Sequence, residues 1–209
     1  MGHKSNPIIL RRGLDKWGGD SIWYGTGAIY HKQLKEDYEL RALISKMFNW
    51  ELVTRIVITR TGSRLRILLL SARISDLTVD NNRLLHECKK KIKDKLGINA
   101  DIQGDVLFKP DTNAEYISSL IASALEKRVN IASTAYKAIS RAVLSGVKGI
   151  RIEVSGRLNG SAIARKNKFN AGCMPSNTFA SNISMSNKQS HTKDGIVGVK
   201  VYVFNGGIK

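Results

Sequence analysis

The chain has 209 residues, with 34 Lys+Arg against 17 Asp+Glu, a formal net charge of +17 and a sequence pI near 10.1. Apolar residues make up 42%, enough to bury a core, yet no apolar run approaches the ~20 residues that a membrane-spanning helix needs. So large a positive excess calls for a polyanion, nucleic acid first and an anionic membrane surface second. Two cysteines, Cys88 and Cys173, make no disulfide framework. No CxxC, HExxH or GxxxxGKS/T spacing occurs, so no metal, no cofactor and no catalytic residue is expected.

In chain order, residues 1–27 read as a basic, glycine-rich arm with little regular structure of its own. "HKQLKEDYELRALISKMF" at 31–48 spaces its apolar residues for a helix. "LVTRIVITRTGSRLRILLLSA" then alternates as two strands about the turn "TGS", the pattern of a hairpin. Leu84, Cys88, Ile92 and Leu96 recur every four residues on a lysine-rich helix that Asn81 or Asn82 can cap and Gly97 ends. "INADIQGDVLF" adds a third strand and closes a small α+β domain over 28–108. The second domain, 109–209, begins with two helices over 114–145. The strand "KGIRIEVSG", a short basic element "GRLNGSAIARKNKF" and two closing strands follow, which together make a mostly antiparallel sheet. Charge is uneven: residues 127–209 carry 14 Lys+Arg and 2 Asp+Glu, a net of +12, whereas 1–126 carry 20 and 15, a net of +5. The C-terminal part is the stronger polyanion binder.

"MGHKSNPIILRRG", "GVKGIRIEVSGRLNGSAIAR" and "DGIVGVKVYVFNGG" resemble three stretches of the bacterial-type small-subunit ribosomal protein S3 family, in the same order and near-bacterial spacing. The resemblance covers essentially the whole chain. It implies an α+β fold, with an N-terminal KH domain of the prokaryotic type (type II) followed by a C-terminal α+β domain. It also implies a place on the head of the small subunit at the entrance of the mRNA channel. The partners implied are small-subunit rRNA, mRNA, and neighbouring head proteins of the S10 and S14 types, with no membrane.

In that family a Gly-x-x-Gly loop precedes the KH helix and lets phosphates approach the backbone closely. Here the aligned positions are Val79, Asp80, Asn81 and Asn82, without glycine and with an added carboxylate, so no RNA clamp is expected there. Basic residues that face mRNA in the family fall here on Ala132, Ser133 and Tyr136, leaving Lys137 and Arg141 as the channel-facing cations. Expected rRNA contacts are Lys4, Arg11 and Arg12 on the arm, Lys127 and Arg128 before the channel helix, Lys148 and Arg151 on the next strand, and Arg157, Arg165, Lys166 and Lys168 in and after the SGRL motif. Two alternatives differ in class. A free-standing KH regulator of mRNA would depend on the loop this chain lacks, and a DNA-lesion-cleaving enzyme would need reactive groups that do not stand out. The N-terminal motif begins at Met1, so no transit peptide is expected. Relaxed constraint on loop and channel points to the ribosome of a mitochondrial matrix, encoded in the organelle, with a bacterial cytoplasm or a plastid as alternatives.

Overall fold

The computed structural model describes residues 4–14, 19–48, 53–62, 64–72 and 83–207. Along the chain these form α1 (Pro7–Arg11), β1 (Ser21–Ile22), α2 (Gly27–Met47), β2 (Val53–Thr61), β3 (Arg64–Ser71), α3 (Arg83–Leu96), β4 (Ala100–Val106), α4 (Ala114–Glu126), α5 (Ile131–Leu144), β5 (Gly149–Gly156), β6 (Arg165–Gly172), β7 (Ser181–Thr192) and β8 (Gly195–Gly207). They divide into two units, Gly18–Phe108 and Met1–Trp17 with Lys109–Lys209, each of the α+β class.

In Gly18–Phe108 the strands lie in the order β1-β2-β3-β4. β2 and β3 form the expected antiparallel hairpin, and β4 runs parallel to β3 with Ile102 beside Ile67. Alternation sorts the side chains: Leu65, Ile67 and Leu69 turn inward while Arg64 and Arg66 face water. The four-residue stripe of α3 delivers Cys88 and Ile92 into the same core, where they meet Leu40 and Ile44 of α2. Gly97, at φ +67, ends α3 in the left-handed region that a side chain would strain.

The described part of the segment expected as an arm with little regular structure carries one short helix and a two-residue strand. Asn6 accepts a hydrogen bond from the Ile8 N–H, Pro7 opens a helix with its fixed φ, and α1 runs to Arg11. Arg11 is only 3% exposed. Its guanidinium donates to the carbonyls of Pro7, Ser176 and Thr178 and to the Ser181 hydroxyl, pinning α1 against the start of β7. Ser21 and Ile22 instead join the other unit, parallel to β2. The segment has too few apolar residues for a core of its own, but its polar groups find partners in both units.

The second sheet has the order β6-β5-β8-β7, antiparallel at every pairing. α4 and α5 cover one face, closing a core of Ile121, Ile139, Ile152, Val154, Val199 and Val201. The stretch expected as a short basic element ends in a strand, β6, which runs on to Gly172 and pairs along β5. β7 meets the helices with hydroxyls: Ser186 Oγ lies 2.7 Å from Ser118 Oγ, and Ser190 Oγ donates to the Ala122 carbonyl at 3.0 Å. Where β5 meets β6, a Cβ on Gly149 would stand 1.8 Å from the Cys173 carbonyl oxygen, so only glycine fits.

Candidate nucleic-acid interface

Strand register fixes what the face of the C-terminal sheet opposite α4 and α5 displays. Ile150, Ile152 and Val154 of β5 point into the core, so Arg151, Glu153 and Ser155 point the other way. Glu153 has Lys168 of β6 on one side and Lys200 of β8 on the other, Ser155 lies beside Lys166, and Arg151 lies between Asn170 and Tyr202. The face is therefore a patch of Arg151, Lys166, Lys168 and Lys200 around one carboxylate. Glu153 is 8% exposed, and the Lys166 ammonium sits 2.7 Å from its Oε2. Burial by itself would raise this carboxyl, but the hydrogen bond from Lys166 and the charges of Lys166, Lys168 and Lys4 outweigh it and hold the group below 4.5. Burial pushes the Tyr202 phenol up, and the negative charge of Glu153 adds to the effect. Glu153 is thus ionised at neutral pH and neutralises about one of its cationic neighbours, leaving the face strongly positive. Arg151 is oriented by a 3.3 Å hydrogen bond to Asn170 Oδ1.

The other sequence-predicted residues are distributed around this unit. Lys4, Arg12 and Lys148 are exposed, and the charge of Lys4 reaches Glu153. Lys127 and Arg128 are exposed at the end of α4. Arg128 stands at φ +59, in the position where glycine commonly ends a helix, and its N–H and that of Val129 close the helix on the Leu125 and Ala124 carbonyls. Arg128, Arg157, Lys193 and Asp194 line part of a cleft of about 430 Å³. Arg157 also braces two turns, donating to the Ser161 carbonyl at 2.9 Å and the Asp194 carbonyl at 3.1 Å. Arg165 alternates with Lys166 and Lys168, so it lies on the opposite face of β6, the side of α5. Lys137 and Arg141 are both exposed and four apart on α5, hence on one face.

Arg11, expected to contact RNA, is instead turned inward: it is 3% exposed and donates four hydrogen bonds within the protein. Val79, Asp80, Asn81 and Asn82 lie outside the described residues. Lys200 and Glu153 belong to the patch and were missed. The signal was present in "GVKVYVF", where Lys200 alternates with Val199 and Val201, but it shows only once β8 is paired to β5. Among the described residues no group of three His, Cys, Asp or Glu could hold a metal, and no helix is long and apolar enough to cross a membrane.

Comparison with known proteins gives a consistent picture. A family model described as the C-terminal domain of ribosomal protein S3 matches residues 121–203. Small ribosomal subunit protein uS3 of Wigglesworthia glossinidia brevipalpis is 34% identical over 209 residues, spanning 100% of this chain and 88% of the relative. The uS3 protein of Marinobacter nauticus is 33% identical over 208 residues, spanning 100% and 91%. That of Anaplasma marginale (strain Florida) is 36% identical over 207 residues, spanning 99% and 97%.

Proposed function

From the premise that the chain belongs to the family of small ribosomal subunit protein uS3, we propose that it binds rRNA in the subunit head through the face of its C-terminal sheet opposite α4 and α5. The role is that of a structural constituent of the ribosome, not of an enzyme. The observation that carries the RNA contact is the patch of Arg151, Lys166, Lys168 and Lys200 around a single, already paired carboxylate. Lysines and arginines spaced along neighbouring strands suit irregular phosphate geometry, for which many cationic contacts with little base reading are the rule. Lys4, Arg12, Lys127, Arg128, Lys148 and Arg165 extend the contact. Lys137 and Arg141 line the mRNA channel entrance, with fewer charges than a uS3 helix of this kind normally offers. Gly18–Phe108, whose described elements run helix, hairpin, helix and a parallel strand, is a KH-like unit with a degenerate Val79–Asn82 loop. Proteins of the S10 and S14 types are its neighbours in the head. The same losses at loop and channel favour a mitochondrial ribosome over a bacterial or plastid one, and the rRNA that co-purifies with the protein decides the point.

The rRNA contact is tested with the full-length chain and a head-rRNA fragment across a salt series. Replacing Lys168 and Lys200 by alanine together removes two phosphate partners. The slope of log K against log salt becomes shallower by about 1.5–2 units. An unchanged slope places the RNA elsewhere.

A further inference from the structure

We infer that Tyr136 is a base-stacking residue for single-stranded RNA, set between α5 and the outer strand β6, with Lys137 and Arg165 as its flanking phosphate contacts. The inference rests on the reading of α5 as a wall of the mRNA path and deepens it, because it assigns to an aromatic ring work that charge does elsewhere.

Tyr136 is 62% exposed, although its ring meets Phe169 with centroids 5.6 Å apart and planes at 77°. A perpendicular neighbour occupies at most one of the two faces of a ring, so at least one π-face of Tyr136 is open to a ligand. The contact also fixes the ring. Phe169 packs against the core beside Ile152, and a side chain held this way loses less freedom on binding than a free surface tyrosine.

On a helix a side chain leans over the turn N-terminal to its own Cα. Tyr136 therefore lies over Ala132 and Ser133, whose small side chains leave room for a flat group beside the ring. Arg165 is on the same side, and Lys137 projects about 100° further round α5. Arg165, Asn167 and Phe169 share one face of β6, which puts Arg165 about 13 Å from Phe169 along the strand, roughly two nucleotides of an extended backbone. β6 is also an outer strand of its sheet, so its free edge offers backbone N–H groups to the same path. Lys137 follows Tyr136 directly and is exposed.

Stacking and charge separate by experiment, since stacking accepts any base and releases no counterion. The full-length protein is titrated against fluorescein-labelled single-stranded oligo(A) RNA and against an abasic strand of equal length. Tyr136→Ala weakens oligo(A) binding about tenfold without changing the salt slope. Tyr136→Leu, which can still pack on Phe169 but has no π-face, weakens it as much, and Tyr136→Phe restores it. Lys137→Ala makes the slope shallower instead. On the abasic strand, wild type and Tyr136→Ala bind alike. Oligo(A) affinities within twofold for wild type and Tyr136→Leu overturn the inference, and so does a loss that persists on the abasic strand. Head-rRNA binding measured on the same proteins reports the ribosomal reading separately: a chain that stacks oligo(A) through Tyr136 but ignores head rRNA keeps this inference and refutes that one.

Discussion

Each unit buries a carboxylate beside a basic partner, and the two arrangements leave opposite surfaces. In Gly18–Phe108, Asp37 is 3% exposed and accepts hydrogen bonds from Ser21 Oγ at 2.8 Å, Trp23 Nε1 at 2.9 Å and Arg60 at 3.1 Å. Arg60 pairs with Glu36 as well, at 2.6 Å, and the Arg60 and Glu36 side chains are largely covered. Arg41 and Arg55 likewise bind the Asp20 carbonyl and carboxylate. In the C-terminal unit, Glu153 meets Lys166, whose side chain is half exposed, and stands among further cations that it cannot neutralise. Arginine and acid knit the first unit inward, whereas a lone acid in the second tethers one lysine and leaves the others for a polyanion. Net charge therefore ranks polyanion binders poorly unless cations already matched within the fold are set aside.

The comparison breaks most visibly at Asp37. Asp37→Ala removes the acceptor of three donors and leaves Arg60 with Glu36 and the more distant Gln33 carbonyl, at a cost of about 3 kcal/mol to the N-terminal unit. Urea unfolding of the full chain should show that loss, while the salt slope for head rRNA stays put. A change below about 1 kcal/mol would mean that Glu36 and water replace Asp37 fully.

Arg11 sharpens the distinction between cations turned inward and outward. Arg11→Ala leaves the Ser176 carbonyl without its donor and takes one partner each from the Thr178 carbonyl and the Ser181 hydroxyl, which stay bonded to each other, at a cost of about 2 kcal/mol, again with the salt slope unmoved. Arg11→Lys recovers little, because one ammonium cannot reproduce the fork of a guanidinium. A slope that becomes shallower in Arg11→Ala would return Arg11 to the RNA surface.

Glu153→Gln acts in the opposite sense. It frees Lys166 and should steepen the salt slope by about 0.7–0.9 of a unit. It also carries a pH signature. The folded carboxyl lies below its unfolded value, so the pair stabilises above that unfolded value and is lost as pH falls through the lower folded one. Wild type should lose stability below about pH 4.5, and Glu153→Gln should lose less of it; identical acid profiles would exclude a contribution from the pair.

The smallest effect concerns the thiols. Burial pushes Cys88 up to about 11, slightly offset by Lys91, whereas Cys173 is exposed. A thiol reagent at pH 8 should label Cys173 at once and Cys88 only on unfolding. Rapid labelling of both would show that the core around α3 opens readily.

Much of this architecture was legible because its periodicity is strong. The hairpin, the stripe of Cys88 and Ile92, the helices α4 and α5 and the valines of β8 all pack as their spacing demands. β6 was hidden because "RKNKFNAG" is polar almost throughout: only Phe169 and Ala171 pack on the core, and the strand exists through its pairing to β5. β7 concealed its inner face because that face is made of serines that hydrogen-bond to α4. α1 is too short for a period to show, and nothing local marks Arg11 as buried, since its acceptors lie far along the chain. Of the interface, the basic cluster of β5 and β6 could be named, but the patch itself is a product of register across three strands.

The distance along the chain between Arg11 and Ser181, 170 residues, has a consequence for synthesis. At about 5–20 residues per second, the guanidinium is made roughly ten to thirty seconds before its last acceptor emerges. Gly18–Phe108 can close meanwhile, since the partners of Asp37 and Arg60 all lie within it. The C-terminal unit waits, and a chain broken off before Ser176 keeps an arginine with no acceptors beyond the Pro7 carbonyl. The earliest helix of the protein is thereby fastened only on chains whose translation has passed Ser181, which couples the order of the N-terminus to the completeness of the product.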